Sequence, residues 1–418
     1  LNKLPARHDM EADIEQKRAA MAKRYVRSRR HTIQVDYIPY MDELACQVGV
    51  KPNLLTLFLT DPKLALEVAF GPCTPYQYRL RGPGKWADAR EAILTQRQRI
   101  LKPLQTRHVE KQASASAMPL IFKLDWAPRT VAIIGAGASG LCALKCCLDE
   151  GLVPTCFERS GDIGGLWRFE ERPEEGRASI YRSVIINTSK EMMCFSDFPI
   201  PEDFPNYMHN SKIMEYFRMY AQHFDLLRHI RFRTSVCHVA KRPDFATTGQ
   251  WEVVTESEGK QEAAVFDAVL VCTGHHSEAH LPLSTFPGLE KFEGWYLHSR
   301  DYKSPQWFTG KRVVVVGGGN SGIDIAVELS HAAKQVFLST KRGTWVLHRV
   351  ADGGYPFDIS YISRFTQLLQ SLLPQNAISF FLERKVNARF DHALYGLQPQ
   401  HRILDQHPTI NDDLPNRI

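Results

Sequence analysis

The sequence lacks the features that define several large classes of protein. It contains neither a signal peptide nor the run of about 18 apolar residues that a membrane-spanning helix requires. Its net charge of +6 is mild and comes without a nucleic-acid-reading motif, so we expect no nucleic-acid partner. No Ser/His/Asp or metal-ligating constellation stands out among its 16 histidines. Its 44% hydrophobic and 23% charged residues are ordinary for a globular protein.

The nine cysteines include no CxxC pair, which argues against redox dithiol chemistry. The tightest cluster, Cys142, Cys146 and Cys147, has helical spacing in an apolar stretch. Free cysteine packs there as a small hydrophobe, and we predict that role for all three. Reduced thiols favour a protein that faces the cytosol.

Three regions differ in composition. Residues 1–112 carry helical signals and Pro/Gly turns, residues 113–129 are interpreted as a linker, and a β-α-β alternation starts at Thr130. The chain opens at Leu1 without methionine and stops at Ile418 in mid-pattern, so we expect both ends to be those of a fragment. A basic run in the first region is most simply a solvated helix face, with membrane-surface contact as the alternative: Arg24, Arg27, Arg29 and Arg30.

Two β-α-β units are predicted after the linker. The first has strands at 131–134 and 154–158 around a helix at 139–150. The second has strands at 312–316 and 335–339 around a helix at 321–332. Such alternation predicts parallel sheets covered on both faces, and two units predict two nucleotide sites. The expected fold class is α/β, with two Rossmann-like dinucleotide-binding domains and a mainly helical segment.

A glycine motif follows the first strand and opens the first helix. It predicts a tight turn, close backbone approach to a pyrophosphate and close helix–strand packing. Glu158 lies 18 positions beyond Gly140, where its carboxylate can accept hydrogen bonds from a ribose and would repel the 2′-phosphate of NADP. We interpret this site as one for FAD; the alternative is a glycine-rich turn without a ligand. Its residues are Gly135, Ala136, Gly137, Ala138, Ser139 and Gly140.

A second glycine motif occupies the same place in the second unit. Lys341 and Arg342 follow its second strand, where the first unit has Glu158. Cations at this place would neutralise a ribose 2′-phosphate, which favours NADPH over NADH. The alternative is that both are solvated basic residues. The other residues assigned to this site are Gly317, Gly319, Ser321, Gly322, Ile323 and Asp324. We predict an FAD-binding domain at 130–286 and an NADPH-binding domain at 287–418.

Between the two motifs, the sequence FEGWYLHSRDY at 292–302 resembles the FxGxxxHxxxY motif of flavin-containing monooxygenases and their Baeyer–Villiger relatives. The segments GGLW at 164–167, NTSKEMM at 187–193 and VCTG at 271–274 are similar to further segments of that family, specifically of the vertebrate dimethylaniline monooxygenases. The resemblance runs from about Val131 to Ile418. We expect His298 and Tyr302 to link or gate the domains, and His275 and His276 to lie in a connecting loop.

Residues 1–112 resemble the carboxyl-terminal portion of the same family, so the usual order of segments is inverted. We expect a middle stretch to be missing, and the family's hydrophobic tail to be absent or reduced to the patch at 120–124. Two explanations remain open. The chain joins the tail of one gene copy to the head of a tandem neighbour, or it is a circular rearrangement with a deletion.

The resemblance implies a mechanism and a location. NADPH would reduce FAD, and a C4a-hydroperoxide formed with O₂ would oxygenate small nitrogen or sulfur nucleophiles at the cytosolic face of the endoplasmic reticulum. Asn187 would bond near flavin N5 and NADP, flanked by Ile186 and Thr188, while Leu166 and Trp167 close around the flavin. Two alternatives are a non-catalytic nucleotide-binding remnant and a flavin disulfide reductase, which would need the absent CxxC.

Overall fold

The computed structural model describes residues 6–25, 34–104, 129–173 and 175–417. They divide into two compact units, of which unit A comprises Gln98–Ile186 and Phe198–Ser304. Unit B comprises Leu1–Arg97, Asn187–Asp197 and Pro305–Ile418. Most of the predicted linker, including the patch at 120–124, lies outside the described residues. The domain boundaries proposed from the sequence stay predictions.

The described residues form α-helices and β-strands with the following bounds. The helices are α1 Arg7–Arg24, α2 Tyr37–Gln47, α3 Leu54–Thr60, α4 Pro62–Phe70, α5 Ala89–Leu101, α6 Ala138–Asp149, α7 Lys190–Met193, α8 Asn210–His223, α9 Phe245–Thr248, α10 Asn320–Leu329, α11 Phe357–Tyr361, α12 Arg364–Leu372 and α13 Gln375–Arg389. The strands are β1 Thr130–Ile134, β2 Val153–Phe157, β3 Ile230–Arg231, β4 Ser235–Lys241, β5 Trp251–Ser257, β6 Lys260–Phe266, β7 Ala268–Val271, β8 Arg312–Val316, β9 Gln335–Ser339, β10 Val346–Leu347 and β11 Thr409–Ile410.

Unit A contains a four-stranded parallel sheet in the order β3-β2-β1-β7. The antiparallel sheet β4-β5-β6 contributes Val253 and Phe266 to a core cluster with Ala132 of β1 and Phe157 of β2. The α6 crossover connects β1 to β2, as parallel strands require. The predicted α/β architecture is confirmed, and the first β-α-β unit lies within two residues of its predicted bounds.

Unit B repeats the β-α-β arrangement with β8, α10 and β9, whose strands pair in parallel. One side of these strands faces a buried cluster that includes Ile323 and Val327 of α10. The other side is open, since Val314 and Val316 are each 62% exposed. The prediction of coverage on both faces is therefore wrong for this sheet within the described residues. An apolar strand indicates that burial is favourable, but it does not supply the element that would bury it.

The cysteine cluster lies on α6, as predicted, but its members do not share one environment. Cys147 is buried, Cys142 is half-buried and Cys146 is exposed. The buried side of α6 includes Leu141, Leu144 and Cys147, and Cys146 lies outside it. The predicted packing is correct for Cys147 and wrong for Cys146.

The described part of residues 1–112 is helical, as predicted, and most of it lies in unit B. Arg24 pairs with Asp36 rather than remaining simply solvated. The other three arginines of that basic run, Arg27, Arg29 and Arg30, lie outside the described residues. Helix α4 packs against α12, with the rings of Phe70 and Phe365 5.1 Å apart.

A partly buried ion pair joins α2 to α12 within unit B. Arg364 donates to both carboxylate oxygens of Asp42, at 2.7 and 2.9 Å, and to Gln77 Oε1 at 2.9 Å. Its guanidinium carbon also lies 5.5 Å from the ring centroid of Tyr78. Burial opposes the ionised form of Asp42, but the hydrogen bonds and charge of Arg364 outweigh burial and hold the pKa of Asp42 below its usual value.

We expect Arg364→Met to lower the free energy of unfolding of unit B by about 1–3 kcal/mol, because the partly buried Asp42 would lose two charged hydrogen bonds and keep only Tyr78 and the more distant Lys51 as partners. Denaturant unfolding followed by circular dichroism measures this loss. Arg402→Met removes a more exposed pair with Glu383 and should cost below about 1 kcal/mol. The folded pKa of Asp42 is lowered, so the pair stabilises above pH ~4 and its contribution is lost as pH falls below that. Equal effects of the two variants would contradict this account.

Candidate functional site

The first glycine loop has a conformation that only glycine accommodates at two positions. Gly135 has a φ of +102°, and a side chain there would meet the Cys272 carbonyl oxygen at 2.7 Å. A Cβ on Gly140 would lie 1.8 Å from the Gly135 carbonyl oxygen, so α6 starts in contact with the loop. Gly137 is the N-cap of α6, and Ala138 and Ser139 begin its first turn. First-turn amides have no acceptor within their own helix, so this end can bind a pyrophosphate.

Glu158 lies beside this loop at the end of β2 and is 9% exposed. Its Oε2 accepts from the Ala136 amide at 2.8 Å. Its Oε1 accepts from the Ser160 amide at 2.9 Å and from Ser160 Oγ at 2.6 Å. The carboxylate therefore supports the glycine loop directly. A carboxylate has about four lone-pair positions, so capacity for a ribose hydroxyl remains.

The Gly164–Trp167 segment packs onto the same loop. The Gly164 amide donates to the Ala136 carbonyl at 3.0 Å. A Cβ on Gly165 would lie 3.1 Å from the Gly137 Cα, so the two backbones approach closely. Leu166 and Trp167 form a short 3-10 turn and are half-buried. The structure thus places Leu166 and Trp167, which we predicted to close around the flavin, beside the glycine loop that we predicted to bind it. Their contact with flavin stays a prediction.

The second glycine loop has the same local geometry. Gly317 has a φ of +121°, and a Cβ on Gly322 would lie 2.1 Å from the Gly317 carbonyl oxygen. Gly319 is the N-cap of α10, and Ser321 is exposed in its first turn. The two loops therefore present equivalent helix N-termini, one in each unit.

The remaining residues predicted for the second site differ in their surroundings. Lys341 and Arg342 are exposed just after β9, where their charges can meet a phosphate. Ile323 is fully buried, and its amide donates to the Gly319 carbonyl at 3.0 Å, so it supports the helix from inside. Asp324 Oδ1 accepts from Asn411 Nδ2 at 2.7 Å. The cofactor contacts assigned to these residues stay predictions.

Asn187 lies in unit B, at the start of the Asn187–Asp197 segment. Its Oδ1 accepts from Arg349 Nη2 at 2.8 Å. Two residues later, the Ser189 amide donates to Asp358 Oδ2 at 2.7 Å. Burial raises the pKa of Asp358, although its carboxylate accepts hydrogen bonds from the amides of Ser189 and Ile359. Sequence reasoning missed Arg349 and Asp358, because no local pattern links them to Asn187.

The residues flanking Asn187 are half-buried. Ile186 belongs to unit A, where its amide donates to the Met208 carbonyl at 2.9 Å. Thr188 follows Asn187 in unit B. Backbone bonds therefore fix the chain before Asn187 within unit A, and other bonds fix the chain after it within unit B. The flanking roles assigned to Ile186 and Thr188 stay predictions.

The histidine-containing segment of the family motif is held within unit A. Tyr302 is buried, and its ring lies 6.0 Å from that of Tyr181 in an edge-on arrangement. His298 Nδ1 accepts from the Arg300 amide at 3.1 Å. His275 and His276 are exposed, and no group of His, Cys, Asp or Glu in the described residues could hold a metal ion. The linking role of His298 and Tyr302 stays a prediction.

Comparison with known proteins identifies the family. The family described as flavin-binding monooxygenase-like matches residues 1–126 and 128–418. The chain belongs to this family. Flavin-containing monooxygenase 5 of Oryctolagus cuniculus is 69% identical over 292 residues, which cover 70% of this chain and 55% of that protein. The Homo sapiens protein of the same name is 66% identical over 290 residues, covering 69% of this chain and 54% of that protein.

A second group of relatives is named differently. Dimethylaniline monooxygenase [N-oxide-forming] 2 of Macaca mulatta is 59% identical over 290 residues, which cover 69% of this chain and 54% of that protein. The chain thus spans about half the length of these relatives. The resemblance to flavin-containing monooxygenases inferred from the motifs is confirmed.

Solved structures support the fold. An oxidised steroid monooxygenase bound to NADP has a TM-score of 0.50 and 22% identity, covering 70% of this chain and 64% of its own. A complex of OTEMO with FAD and NADP has the same TM-score at 18% identity and the same coverage. Among the described residues, no helix is both long enough and apolar enough to cross a bilayer.

Proposed function

We propose that this chain is an FAD-dependent, NADPH-consuming monooxygenase. The observation that carries the proposal is a pair of glycine loops with matching geometry but opposite charge at equivalent places. Glu158 follows the second strand of one unit, whereas Lys341 and Arg342 follow that of the other. A carboxylate favours a ribose without a phosphate, and cations favour a phosphorylated one. The two sites therefore suit FAD and NADPH, respectively.

The residues of both units fit these cofactors. The first helix N-terminus would hold the FAD pyrophosphate, while Leu166 and Trp167 would exclude water from the flavin. The second N-terminus would hold the NADPH pyrophosphate, with Lys341 and Arg342 on its 2′-phosphate. Bound flavin, once reduced by NADPH, supplies the activation of O₂ that the side chains lack.

The substrates we propose are small molecules with a soft nitrogen or sulfur nucleophile, which would leave as N-oxides or S-oxides. The name of the Macaca mulatta relative, dimethylaniline monooxygenase [N-oxide-forming] 2, supports this class. The direct test measures flavin content by absorbance and oxidation of NADPH with a tertiary amine and a thioether. A colourless chain that oxidises no NADPH would contradict the proposal.

A non-catalytic nucleotide-binding protein is the second candidate. The open side of the β8–β9 sheet favours it, because Val314 and Val316 are exposed there within the part of the chain that the structure describes. Such a protein would bind NADPH without oxidising it. Isothermal titration calorimetry, which measures NADPH binding, together with the NADPH-oxidation assay separates the two candidates.

We expect Asn187→Ala to divert NADPH electrons to hydrogen peroxide, raising the peroxide formed per NADPH about tenfold. A side-chain amide offers a donor and an acceptor without a labile proton at neutral pH, so it can bond to flavin and NADP without promoting peroxide loss. Peroxide and product are measured together against NADPH consumed. Asn206→Ala, in unit A, is the matched control. Unchanged coupling in Asn187→Ala would show that this residue does not protect the oxygenating flavin.

We also propose attachment at the cytosolic face of the endoplasmic reticulum membrane. Helix α12 carries an apolar stripe at helical spacing, which is exposed instead of facing the core. Leu372 is the most exposed member, at 70%. An amphipathic helix of this kind can lie in a membrane surface without spanning it. The stripe consists of Phe365, Leu368, Leu369 and Leu372.

We expect the double variant Leu368→Ser/Leu372→Ser to bind phosphatidylcholine–phosphatidylserine vesicles about tenfold more weakly. The reason is that the variant lacks two aliphatic side chains that would otherwise insert into the lipid. Co-sedimentation measures the bound fraction. Leu394→Ser removes a leucine outside α12 that is 75% exposed, more than either Leu368 or Leu372, and should bind as the unchanged chain does. Equal binding by all three proteins would rule out α12 as the attachment surface.

A further inference from the structure

Asn187 is held by an arginine whose own position is fixed by a carboxylate. Besides its bond to Asn187, Arg349 donates from Nη1 to Asp412 Oδ2 at 2.9 Å. The Arg349 amide donates to Asp412 Oδ1 at 2.8 Å. All three residues belong to unit B. Asp412 thus holds both the backbone and the side chain of Arg349, which restricts the guanidinium to few rotamers.

The contact with Arg349 selects one orientation of the Asn187 amide. An asparagine amide has an oxygen acceptor and a nitrogen donor of nearly identical shape, so sterics alone do not distinguish its two orientations. A guanidinium has donors only. It therefore accepts the orientation with Oδ1 toward Arg349 and rejects the other. The Nδ2 donor is then directed away from Arg349.

Asp412 directly follows a segment that is bonded to the second glycine motif. Three successive residues before Asp412 each make one hydrogen bond to the loop or to α10. The bonds are from Thr409 Oγ1 to the Gly318 carbonyl (2.7 Å), from the Ile410 amide to Asn320 Oδ1 (2.8 Å) and from Asn411 Nδ2 to Asp324 Oδ1 (2.7 Å). A continuous path of hydrogen bonds and backbone therefore joins the second dinucleotide loop to Asn187.

The charge on Asp412 is secure over the physiological pH range. Burial opposes its ionisation, but His348, whose Nδ1 lies 3.6 Å from Asp412 Oδ1, and the hydrogen bonds of Arg349 outweigh burial and lower the pKa of Asp412 to about 2. Asp412 thus remains a carboxylate wherever such a protein would work, and it keeps Arg349 in place.

We propose that Arg349 and Asp412 are positioning residues, which orient the Asn187 amide from the second dinucleotide site. The inference rests on the proposed function, since that function gives the amide its flavin and NADP partners. The inference adds that residues of unit B determine the direction in which Asn187 Nδ2 points its donor. Loss of Arg349 frees the amide to adopt both orientations, of which only one presents a donor to the cofactor.

A double-mutant cycle tests this proposal, with the full chain loaded with FAD. We expect Arg349→Met to raise peroxide formed per NADPH about fivefold, and Arg349→Lys, which keeps a donor-only group, to restore at least half of the coupling. The double variant Asn187→Ala/Arg349→Met should be no worse than Asn187→Ala, because Arg349 acts through the amide. A second readout is the change in flavin absorbance when NADP⁺ is added without substrate. It should shrink at least twofold in Arg349→Met.

Arg402→Met, which removes an ion-paired arginine elsewhere in unit B, is the control and should keep both readouts. If Arg349→Met does not fold, Asp412→Asn takes its place with the same expectations. Additive effects in the double variant, or readouts of Arg349→Met that match the unchanged chain, overturn this inference while the proposed function stands. A chain that binds no flavin overturns both.

Discussion

Purified Gly140→Ala should be colourless, with an affinity for FAD reduced by on the order of 100-fold. The added Cβ, held rigidly by its Cα, would lie 1.8 Å from the backbone carbonyl oxygen of Gly135. No rotamer change can relieve such a contact, so α6 must move away from the loop. A misplacement of about 1 Å can cost about 100-fold in the rate of a reaction that needs positioned groups, and we expect a loss of the same order in cofactor affinity. Fluorescence titration of the apoprotein with FAD measures the change.

Gly249→Ala is the matched control for this experiment. Gly249 also lies in unit A with a φ of +70°, but a Cβ there would meet no atom within 4 Å. The substitution there adds about 1 kcal/mol of backbone strain without disturbing the loop, whereas Gly140 lies within α6 and has no positive φ, so the control is the more strained of the two backbones. Circular dichroism of both variants separates loss of the cofactor from loss of the fold. If Gly140→Ala bound FAD as tightly as Gly249→Ala, the first loop would not be the flavin site.

Lys341→Glu/Arg342→Glu should lose about 100-fold in affinity for NADPH and little in affinity for NADH. Hydrogen bonds to charged groups contribute about 1.5–3 kcal/mol each, and the variant replaces attraction with repulsion. NADH has no 2′-phosphate, so its binding does not depend on these charges. The ratio of kcat/KM for the two nucleotides reports this preference directly.

The control here is Lys334→Glu, an exposed basic residue just before β9. It changes the net charge of unit B without altering the end of the strand that follows the glycine loop. We expect the preference for NADPH to persist. A loss of preference in Lys334→Glu as large as in the double variant would indicate a diffuse electrostatic effect. Retained preference in the double variant would mean that Lys341 and Arg342 are only solvated.

Much of the fold could be predicted because its signals are local. The bounds of β8 and β9 coincide with the predicted strands, and the first unit differs by one residue at each end of α6. Both glycine loops have the predicted turn, since the conformation depends on residues within one short segment. The prediction for Cys146 failed because helical spacing gives a period but does not say which side meets the core.

The candidate site was only partly predictable. The loops, Glu158, Lys341 and Arg342 follow from motif and charge. The contacts that hold Asn187 could not be predicted in this way. Arg349 and Asn187 are 162 residues apart in the sequence, and Arg349 and Asp412 are 63 residues apart. No propensity or spacing rule encodes a contact over such distances.

By itself, the sequence determined the short-range properties of this protein: where glycine must turn the chain, where helices offer their amides, and which charge stands at each strand end. These depend on steric limits and charges within a few residues. Only the tertiary structure decided that, among the described residues, the side of the β8–β9 sheet with Val314 and Val316 is open, that the stripe of α12 is exposed and that Arg349 donates a hydrogen bond to Asn187. Exclusion of water and long-range hydrogen bonding depend on which distant segments meet, and that is a property of the folded chain.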